Sequence, residues 1–282
     1  MKRIAIRLDS GLTLSALEGG SGHPLIMIPG WSQSAAEWQE NAEALTNERR
    51  VIALDMRGHG ESDKPKYGYR VFRLAKDLSE VLDKLDISSA DLLGHSMGCA
   101  VIWAYLNLFG PSRAQRLVLV DQAPCMFPQA AWDDEERSRY GCFYQTAADV
   151  DEFASNVVAS DDQESTMQLL KGLFSPDFPI QSLRPVAEEN LKLPRAQAAQ
   201  LLRDTAFGDW RDVIERIQLP TLVVGGEGSI FTSASQRWIA ALIPGAEVEI
   251  FPTSEGGSHF MFLENPSRFN ARVLSFLEST TT

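Results

Sequence analysis

The sequence predicts a doubly wound α/β fold, in which helices cover both faces of a mostly parallel sheet. Short apolar runs recur along the 282-residue chain at positions 25–28, 51–54, 92–93, 117–120 and 222–224. Uninterrupted apolar runs are typical of strands that are buried on both faces, whereas half-exposed strands alternate. Residues 71–85 and 100–109 lie between these runs and have helical periodicity. Strand and helix therefore alternate along the chain.

The first and last parts of the chain fit the same fold. Residues 2–8 and 12–18 flank an Asp-Ser-Gly turn, which predicts an antiparallel hairpin at a sheet edge. Near the end we expect a helix at 233–241, a strand at 248–251 and a closing helix at 266–277 that has proline in its first turn. We expect the final residues, 279–282, to be frayed.

The alternation stops after Asp121. No convincing strand follows until Thr221, and the intervening residues are charged and aromatic with helical periodicity. Such an interruption is too long for a simple loop and is typical of a functional insertion. We therefore predict a helical cap at 124–210, inserted into a core domain made of residues 1–123 and 211–282.

Composition excludes several classes of partner and cofactor. The chain has 26 Lys and Arg against 38 Asp and Glu, so its formal charge of -12 disfavours nucleic acids and anionic membranes. The start has no apolar core long enough for a signal peptide or a membrane span, so we expect a cytoplasmic protein. Three cysteines without CxxC or Cys/His spacing predict free thiols, and we expect neither a metal nor another cofactor.

The segment Gly94-His95-Ser96-Met97-Gly98 has the GxSxG pattern of a nucleophile elbow. In such an elbow a strand enters a helix through a turn so tight that both flanking positions need glycine. Ser96 would lie at the tip of the turn, where the helix beginning at Met97 directs amides toward a developing oxyanion. We predict Ser96 as the nucleophile of acyl transfer.

A serine hydroxyl needs a base, and the chain has four histidines. His23 lies in a glycine-rich turn, His59 lies in an arginine-containing loop, and the role of Ser96 directs the neighbouring His95 elsewhere. His259 remains, in a loop after a predicted strand, and we predict it as the base.

Four ordered motifs resemble those of the α/β-hydrolase superfamily. Besides the elbow, they are Pro29-Gly30-Trp31-Ser32, the loop Asp55-Met56-Arg57-Gly58-His59-Gly60-Glu61-Ser62, and Gly257-Ser258-His259-Phe260 followed by Leu263-Glu264-Asn265-Pro266. Within the superfamily the chain is similar to the branch of esterases, lactonases and cofactor-free haloperoxidases. The resemblance implies an eight-stranded, mostly parallel sheet flanked by helices, with the helical cap after strand six. It also supports His259 as the catalytic histidine.

The resemblance implies an oxyanion hole made by the backbone amides of Trp31 and Met97. Relatives commonly carry His-Gly where this chain has Pro29-Gly30. Because the donor is a backbone amide, this difference does not remove the hole. Trp31 can serve as donor and as pocket wall at once.

The catalytic acid is expected at a less usual position. Most relatives place it after strand seven, but the matching stretch here is Gly226-Glu227-Gly228-Ser229, with serine at the expected aspartate position. Haloalkane dehalogenases and cofactor-free dioxygenases that resemble this fold use the end of strand six instead. That position is Asp121, which we favour, with Glu227 as the alternative. Asp121 could also only tether nearby loop amides.

Aromatic residues are frequent in the predicted cap, and most of them are expected to pack it onto the sheet. We expect some to line a pocket for a small apolar or aromatic substrate. The predicted substrate-contacting residues are Trp31, Phe127, Trp132, Tyr140, Phe143 and Trp210.

These residues predict a serine hydrolase that cleaves an ester, a lactone or a carbon-carbon bond through an acyl-enzyme. One alternative is a cofactor-free oxygenase, in which a His-Asp pair deprotonates an aromatic hydroxyl. Another is a ligand receptor without turnover. A haloalkane dehalogenase is disfavoured because it needs a carboxylate in place of Ser96. The sequence leaves the oligomeric state open, and a homodimer is one assembly it allows.

Overall fold

The computed structural model describes residues 1–279, so most of the segment predicted to fray lies outside the described residues. The strands are β1 (Lys2–Arg7), β2 (Thr13–Gly19), β3 (Pro24–Ile28), β4 (Arg50–Asp55), β5 (Ala90–His95), β6 (Ala114–Val120), β7 (Thr221–Gly226) and β8 (Glu247–Phe251). The first six helices are α1 (Gln39–Leu45), α2 (Val71–Lys84), α3 (Met97–Phe109), α4 (Asp134–Tyr140), α5 (Ala147–Ala159) and α6 (Gln163–Leu170). The others are α7 (Arg184–Leu191), α8 (Arg195–Ala206), α9 (Arg211–Ile214), α10 (Ser233–Leu242), α11 (Met261–Glu264) and α12 (Pro266–Glu278).

The strands form one eight-stranded sheet in the order β1-β2-β4-β3-β5-β6-β7-β8. Strand β2 is antiparallel to both β1 and β4, and every other neighbouring pair is parallel. This arrangement confirms the predicted mostly parallel sheet, and the hairpin of β1 and β2 lies at its edge. The carboxyl ends of β5, β6 and β7 are adjacent, so the residues that follow these strands meet at one edge.

Two apolar layers cover the sheet. Ile26 and Ile28 of β3 pack on one face in the same core cluster as residues of α2 and α3, such as Leu74. Leu25 and Met27 of the same strand pack on the opposite face with residues of α1 and α12. All four β3 side chains are fully buried, which explains why the strand is apolar without alternation.

The segment 124–210 contains the five α-helices α4 to α8. Capping boxes at Asp133, Thr146 and Asp162 satisfy the first amides of α4, α5 and α6. The two ends of the segment meet, since the Trp210 amide donates to the Pro124 carbonyl at 2.9 Å. We keep the name cap for residues 124–210, and their treatment as a separate unit stays a prediction.

Within the described residues, none of the helices combines the length and the apolar character that crossing a membrane requires.

Candidate active site

Ser96 lies between β5 and α3 in a conformation that non-glycine residues rarely adopt, with φ of 51° and ψ of -123°. The flanking glycines permit the turn. A Cβ on Gly94 would lie 2.6 Å from the Gly98 backbone, and one on Gly98 would lie 2.3 Å from the Ile28 carbonyl oxygen. The GxSxG pattern therefore follows from close backbone contacts, and the strained serine conformation is typical of a functional site.

His259 lies in the loop before α11, and its ring is almost fully buried. Its Nδ1 is 2.6 Å from Oδ2 of Asp121, which directly follows β6. The backbone amide of His259 donates to the Leu173 carbonyl of the cap at 3.1 Å. Core and cap thus both hold the histidine loop.

The structure brings Asp121 to His259 and leaves Glu227 elsewhere. Glu227 Oε2 accepts from the Thr253 amide at 3.3 Å in an exposed position. Ser229, which occupies the usual position of the acid, donates its hydroxyl to Oδ2 of Asp121. Ser229 thus donates a hydrogen bond to the Asp121 carboxyl group, and its hydroxyl cannot supply the negative charge of a carboxylate itself.

Burial acts on both members of this pair. It lowers the pKa of the His259 imidazole to about 3, because the charged ring loses its hydration. Burial raises the pKa of the Asp121 carboxyl, against the hydrogen bonds from Ser229 and the Gly226 backbone. The imidazole is neutral at neutral pH, which is the form that a general base requires.

Ser96 and His259 line the same cavity, which encloses about 750 Å³ including its mouth. Its wall is mostly apolar with a few polar groups, as in cavities that bind small molecules. Among residues 1–279 the Ser96 hydroxyl has no hydrogen bond to the His259 ring. Catalytic hydrogen bonds are often long in ligand-free structures and shorten when substrate binds.

Trp31 and Met97 also line the cavity. Neither of their backbone amides has an acceptor within the described part of the chain, so both are available to an oxyanion. Met97 is the first residue of α3, where helix amides lack intrahelical acceptors. The loop before Trp31 is held by the Gly30 amide, which donates to Gln33 Oε1 at 2.6 Å.

Sequence reasoning did not identify two residues that support the site, His95 and Gln33. His95 Nδ1 lies 2.8 Å from Gln33 Oε1, and its Nε2 lies 2.8 Å from the His259 carbonyl. Burial lowers the pKa of His95, and a neutral imidazole can donate to only one of these oxygens. His95 and Gln33 thus connect the oxyanion loop to the catalytic histidine loop.

The predicted substrate-contacting aromatic residues divide into two groups. Trp31 and Phe143 line the cavity. The other four, Phe127, Trp132, Tyr140 and Trp210, lie outside its wall, and their contact with a substrate stays a prediction.

Their packing explains where these four side chains lie. Trp132 and Tyr140 stack around the Arg211 guanidinium, whose carbon is 4.3 Å and 4.8 Å from their ring centroids. Phe127 packs on Phe207 with ring centroids 5.0 Å apart. Trp210 packs on Trp103 of α3 at 6.2 Å.

Cavity residues that sequence reasoning missed include Met126, Tyr144, Phe153, Leu170, Asn190 and Phe231. Phe231 lies against the His259 ring with centroids 5.5 Å apart. Phe153, Leu170 and Asn190 lie in cap helices, where periodicity identifies an apolar face but does not say whether that face meets the sheet, another helix or the cavity. The other three lie in loops, where no periodicity applies. No local signal in the sequence separates these residues from their neighbours.

Comparison with known proteins shows the family to which the chain belongs. The family model for the alpha/beta hydrolase fold matches residues 23–266. The chain therefore belongs to the α/β-hydrolase family, as the motifs predicted. The match covers the elbow, the loop with Trp31 and the histidine loop.

Individual relatives indicate the range of the family. The chain is 27% identical over 277 residues to the non-heme chloroperoxidase CPO-A1 of Kitasatospora aureofaciens, covering 95% of this chain and 96% of the relative. An esterase from Exiguobacterium antarcticum superposes with a TM-score of 0.86 at 25% identity, covering 98% and 99% of the two chains. The enol-lactonase from Burkholderia xenovorans LB400 shares the fold with a TM-score of 0.80 at 21% identity, covering 98% and 100%. The family and its esterase member identify this protein as a hydrolase.

Proposed function

We propose that the protein hydrolyses an ester or lactone of a small apolar or aromatic substrate through a Ser96-His259-Asp121 triad. The observation that carries the proposal is the 2.6 Å contact between His259 Nδ1 and Asp121 Oδ2 beside a cavity that Ser96 lines. The resemblance to an esterase from Exiguobacterium antarcticum supports the same reaction class.

The proposed reaction begins when Ser96 Oγ attacks the substrate carbonyl and His259 Nε2 accepts the hydroxyl proton. Asp121 holds the imidazole through Nδ1 and stabilises the imidazolium that forms. The amides of Trp31 and Met97 stabilise the oxyanion, which also lies at the positive end of α3. His259 then protonates the leaving alcohol, and a water activated by the same ring hydrolyses the acyl-enzyme.

The wall of the cavity supports an apolar substrate. Side chains from the cap and from the loop after β7 contribute most of it, including Met126, Phe143, Phe153, Leu170 and Phe231. Burial of an apolar body against these side chains contributes binding free energy in proportion to the area removed from water. The polar groups near Ser96 then orient the carbonyl.

A fluorophosphonate probe tests the proposal. We expect stoichiometric labelling of the folded protein, mapped to Ser96 by peptide mass spectrometry, and no labelling of Ser96→Ala. A panel of aryl esters and lactones should be hydrolysed by the wild type. A folded protein that is neither labelled nor active on the panel contradicts the proposal.

The position of Asp121 after β6 also favours a second candidate, a cofactor-free oxygenase. In that reaction the His259-Asp121 pair removes the proton of an aromatic hydroxyl, and Ser96 orients the substrate. This candidate predicts oxygen consumption with an aromatic hydroxyl substrate that survives Ser96→Ala. The hydrolase predicts no such consumption.

A further inference from the structure

Two polar side chains interrupt the apolar wall of the cavity on the side of the oxyanion loop. Gln33 and Glu37 both line the cavity, and they are only 3% and 8% exposed. Gln33 Nε2 and Glu37 Oε1 are buried and have no hydrogen-bond partner among residues 1–279. Buried polar groups usually have partners, so two unpaired atoms on side chains that line the cavity with Ser96 point to a bound group.

Each of these side chains has one oxygen that already accepts a hydrogen bond. The donor to that oxygen determines which atom of the side chain remains unpaired. Gln33 Oε1 accepts from the Gly30 amide at 2.6 Å. A backbone amide only donates, so the carboxamide oxygen must lie there and Nε2 is the free donor. Glu37 Oε2 accepts from the Ser34 amide at 2.8 Å in a capping box, which leaves Oε1 without a partner.

Glu37 is held in surroundings that favour its neutral form. Burial raises the pKa of this carboxyl well above its usual value, and the nearby Glu189 and Asp55 raise it further, against the Ser34 amide and Lys192. Because the Ser34 amide occupies Oε2, the carboxyl proton belongs on Oε1. Gln33 Nε2, with two N–H groups, and Glu37 Oε1, with one O–H group, then both act as donors.

We propose that Gln33 and Glu37 form a subsite for a second oxygen of the substrate, a ketone or amide carbonyl oxygen separate from the carbonyl that Ser96 attacks. A carbonyl oxygen has two lone pairs and can accept from both donors at once. This inference rests on the proposed ester or lactone hydrolysis and specifies its substrate class as an apolar ester or lactone that carries an additional carbonyl group.

Such a subsite selects against substrates that lack the second oxygen. A site with buried donors rejects the analogue without the matching group, because the donors then remain unpaired. Two neutral hydrogen bonds correspond to a preference of about 30-fold in kcat/KM.

The first experiment compares benzyl heptanoate with benzyl 3-, 4-, 5- and 6-oxoheptanoate on the wild-type protein. Each rate is divided by the alkaline hydrolysis rate of the same ester, which removes differences in intrinsic reactivity. We expect one position of the keto group to raise kcat/KM by about 30-fold over the parent ester. Equal corrected rates across the series overturn the proposal.

Variants at Glu37 assign the preference to the subsite. Glu37→Gln keeps both an acceptor for the Ser34 amide and a donor toward the cavity, so we expect it to retain the keto preference within about threefold. Glu37→Leu removes the donor, and we expect most of the preference to disappear. Glu189→Gln is the control, because Glu189 accepts from the Ser34 hydroxyl at 2.6 Å without lining the cavity, and glutamine keeps an acceptor there. Burial, the largest cause of the raised Glu37 pKa, is unchanged in this variant, so we expect it to retain the keto preference. A preference that survives Glu37→Leu overturns the assignment.

A binding measurement separates this proposal from the proposed hydrolysis. In the Ser96→Ala protein, calorimetric titration with the favoured oxoheptanoate and with benzyl heptanoate reports the subsite without turnover. Tighter binding of the keto ester, abolished by adding Glu37→Leu, supports the subsite even if the wild type shows no esterase activity. Equal affinities for both esters contradict the subsite even if the wild type is an active esterase.

Discussion

The floor and the roof of the cavity are built in different ways. The floor consists of residues at the carboxyl ends of parallel strands, where Ser96 follows β5 and Asp121 follows β6, both with positive φ. The roof consists of the cap helices and the loops between them, whose side chains enter the cavity only where these elements pack over the sheet. A functional group on the floor is therefore fixed by topology, whereas one on the roof depends on packing between elements far apart in the chain.

The largest effect should come from the floor. We expect Ser96→Ala to reduce ester hydrolysis by up to ~10⁶-fold, as in serine protease triads, because the substitution removes the hydroxyl on which the proposed acyl-enzyme forms. The measurement is kcat/KM on the best ester of the panel, with circular dichroism to verify the fold.

Retention of wild-type turnover by Ser96→Ala would mean that the reaction does not pass through an acyl-enzyme on Ser96. The oxygenase reaction would then become the better explanation of the His259-Asp121 contact.

The second-largest effect distinguishes the two candidates for the catalytic acid, Asp121 and Glu227. We expect Asp121→Asn to lower kcat by up to ~10⁴-fold, because His259 loses its counter-charge and its preferred tautomer. Glu227→Gln is the matched control, and it should change kcat by less than about twofold, since surface substitutions away from such contacts have small effects. The opposite pattern, a severe Glu227→Gln and a nearly silent Asp121→Asn, would place the acid after β7.

The floor was largely predictable from the sequence. GxSxG encodes a backbone approach that tolerates no Cβ, so Gly94 and Gly98 predict a tight turn with Ser96 at its tip, where the structure has it. The order of strands then brings the residues after β5 and β6 together, which placed Asp121 near the base. The Ser229 hydroxyl contact with Asp121 was not predicted, although the missing aspartate at that position was its signal.

The roof was not predictable to the same extent. Phe143 and Phe127 lie in the same aromatic-rich segment, yet only Phe143 reaches the cavity. Trp132 and Tyr140 face Arg211, and a cation beside two rings is a tertiary contact that helical periodicity does not encode. Gln33 and Glu37 were missed for a related reason, because their unpaired atoms become visible only when all their neighbours are in place.

A smaller effect is the pH dependence of the free energy of unfolding, which we expect from a histidine of the core. All four histidines lie outside residues 124–210, and burial lowers the pKa of His59 to about 4. Between its unfolded pKa near 6.5 and this value, the unfolded chain binds a proton that the folded chain does not bind. His59 therefore has little effect on the free energy of unfolding above pH 6.5. As the pH falls below that value, the free energy of unfolding decreases, by about 2 kcal/mol at pH 5 for this residue.

Urea unfolding at pH 7 and pH 5 measures this effect as a difference between wild type and His59→Gln. The wild type should lose about 2 kcal/mol more than the variant. Buried Asp121 and Glu37, whose pKa values are raised, act in the opposite direction but equally in both proteins, so they cancel. Equal losses would mean that His59 is protonated in the folded state.

The smallest effect is expected from the roof, where two phenylalanines give a matched pair. Phe143 lines the cavity, whereas Phe127 packs on Phe207 outside its wall. Phe143→Leu removes aromatic surface that a bulky ester would contact, so we expect KM for that ester to rise by about five- to tenfold with kcat little changed. Phe127→Leu should leave both parameters within about twofold. Equal effects of the two substitutions on KM would show that the cap influences binding through its overall docking rather than through the side chains that line the cavity.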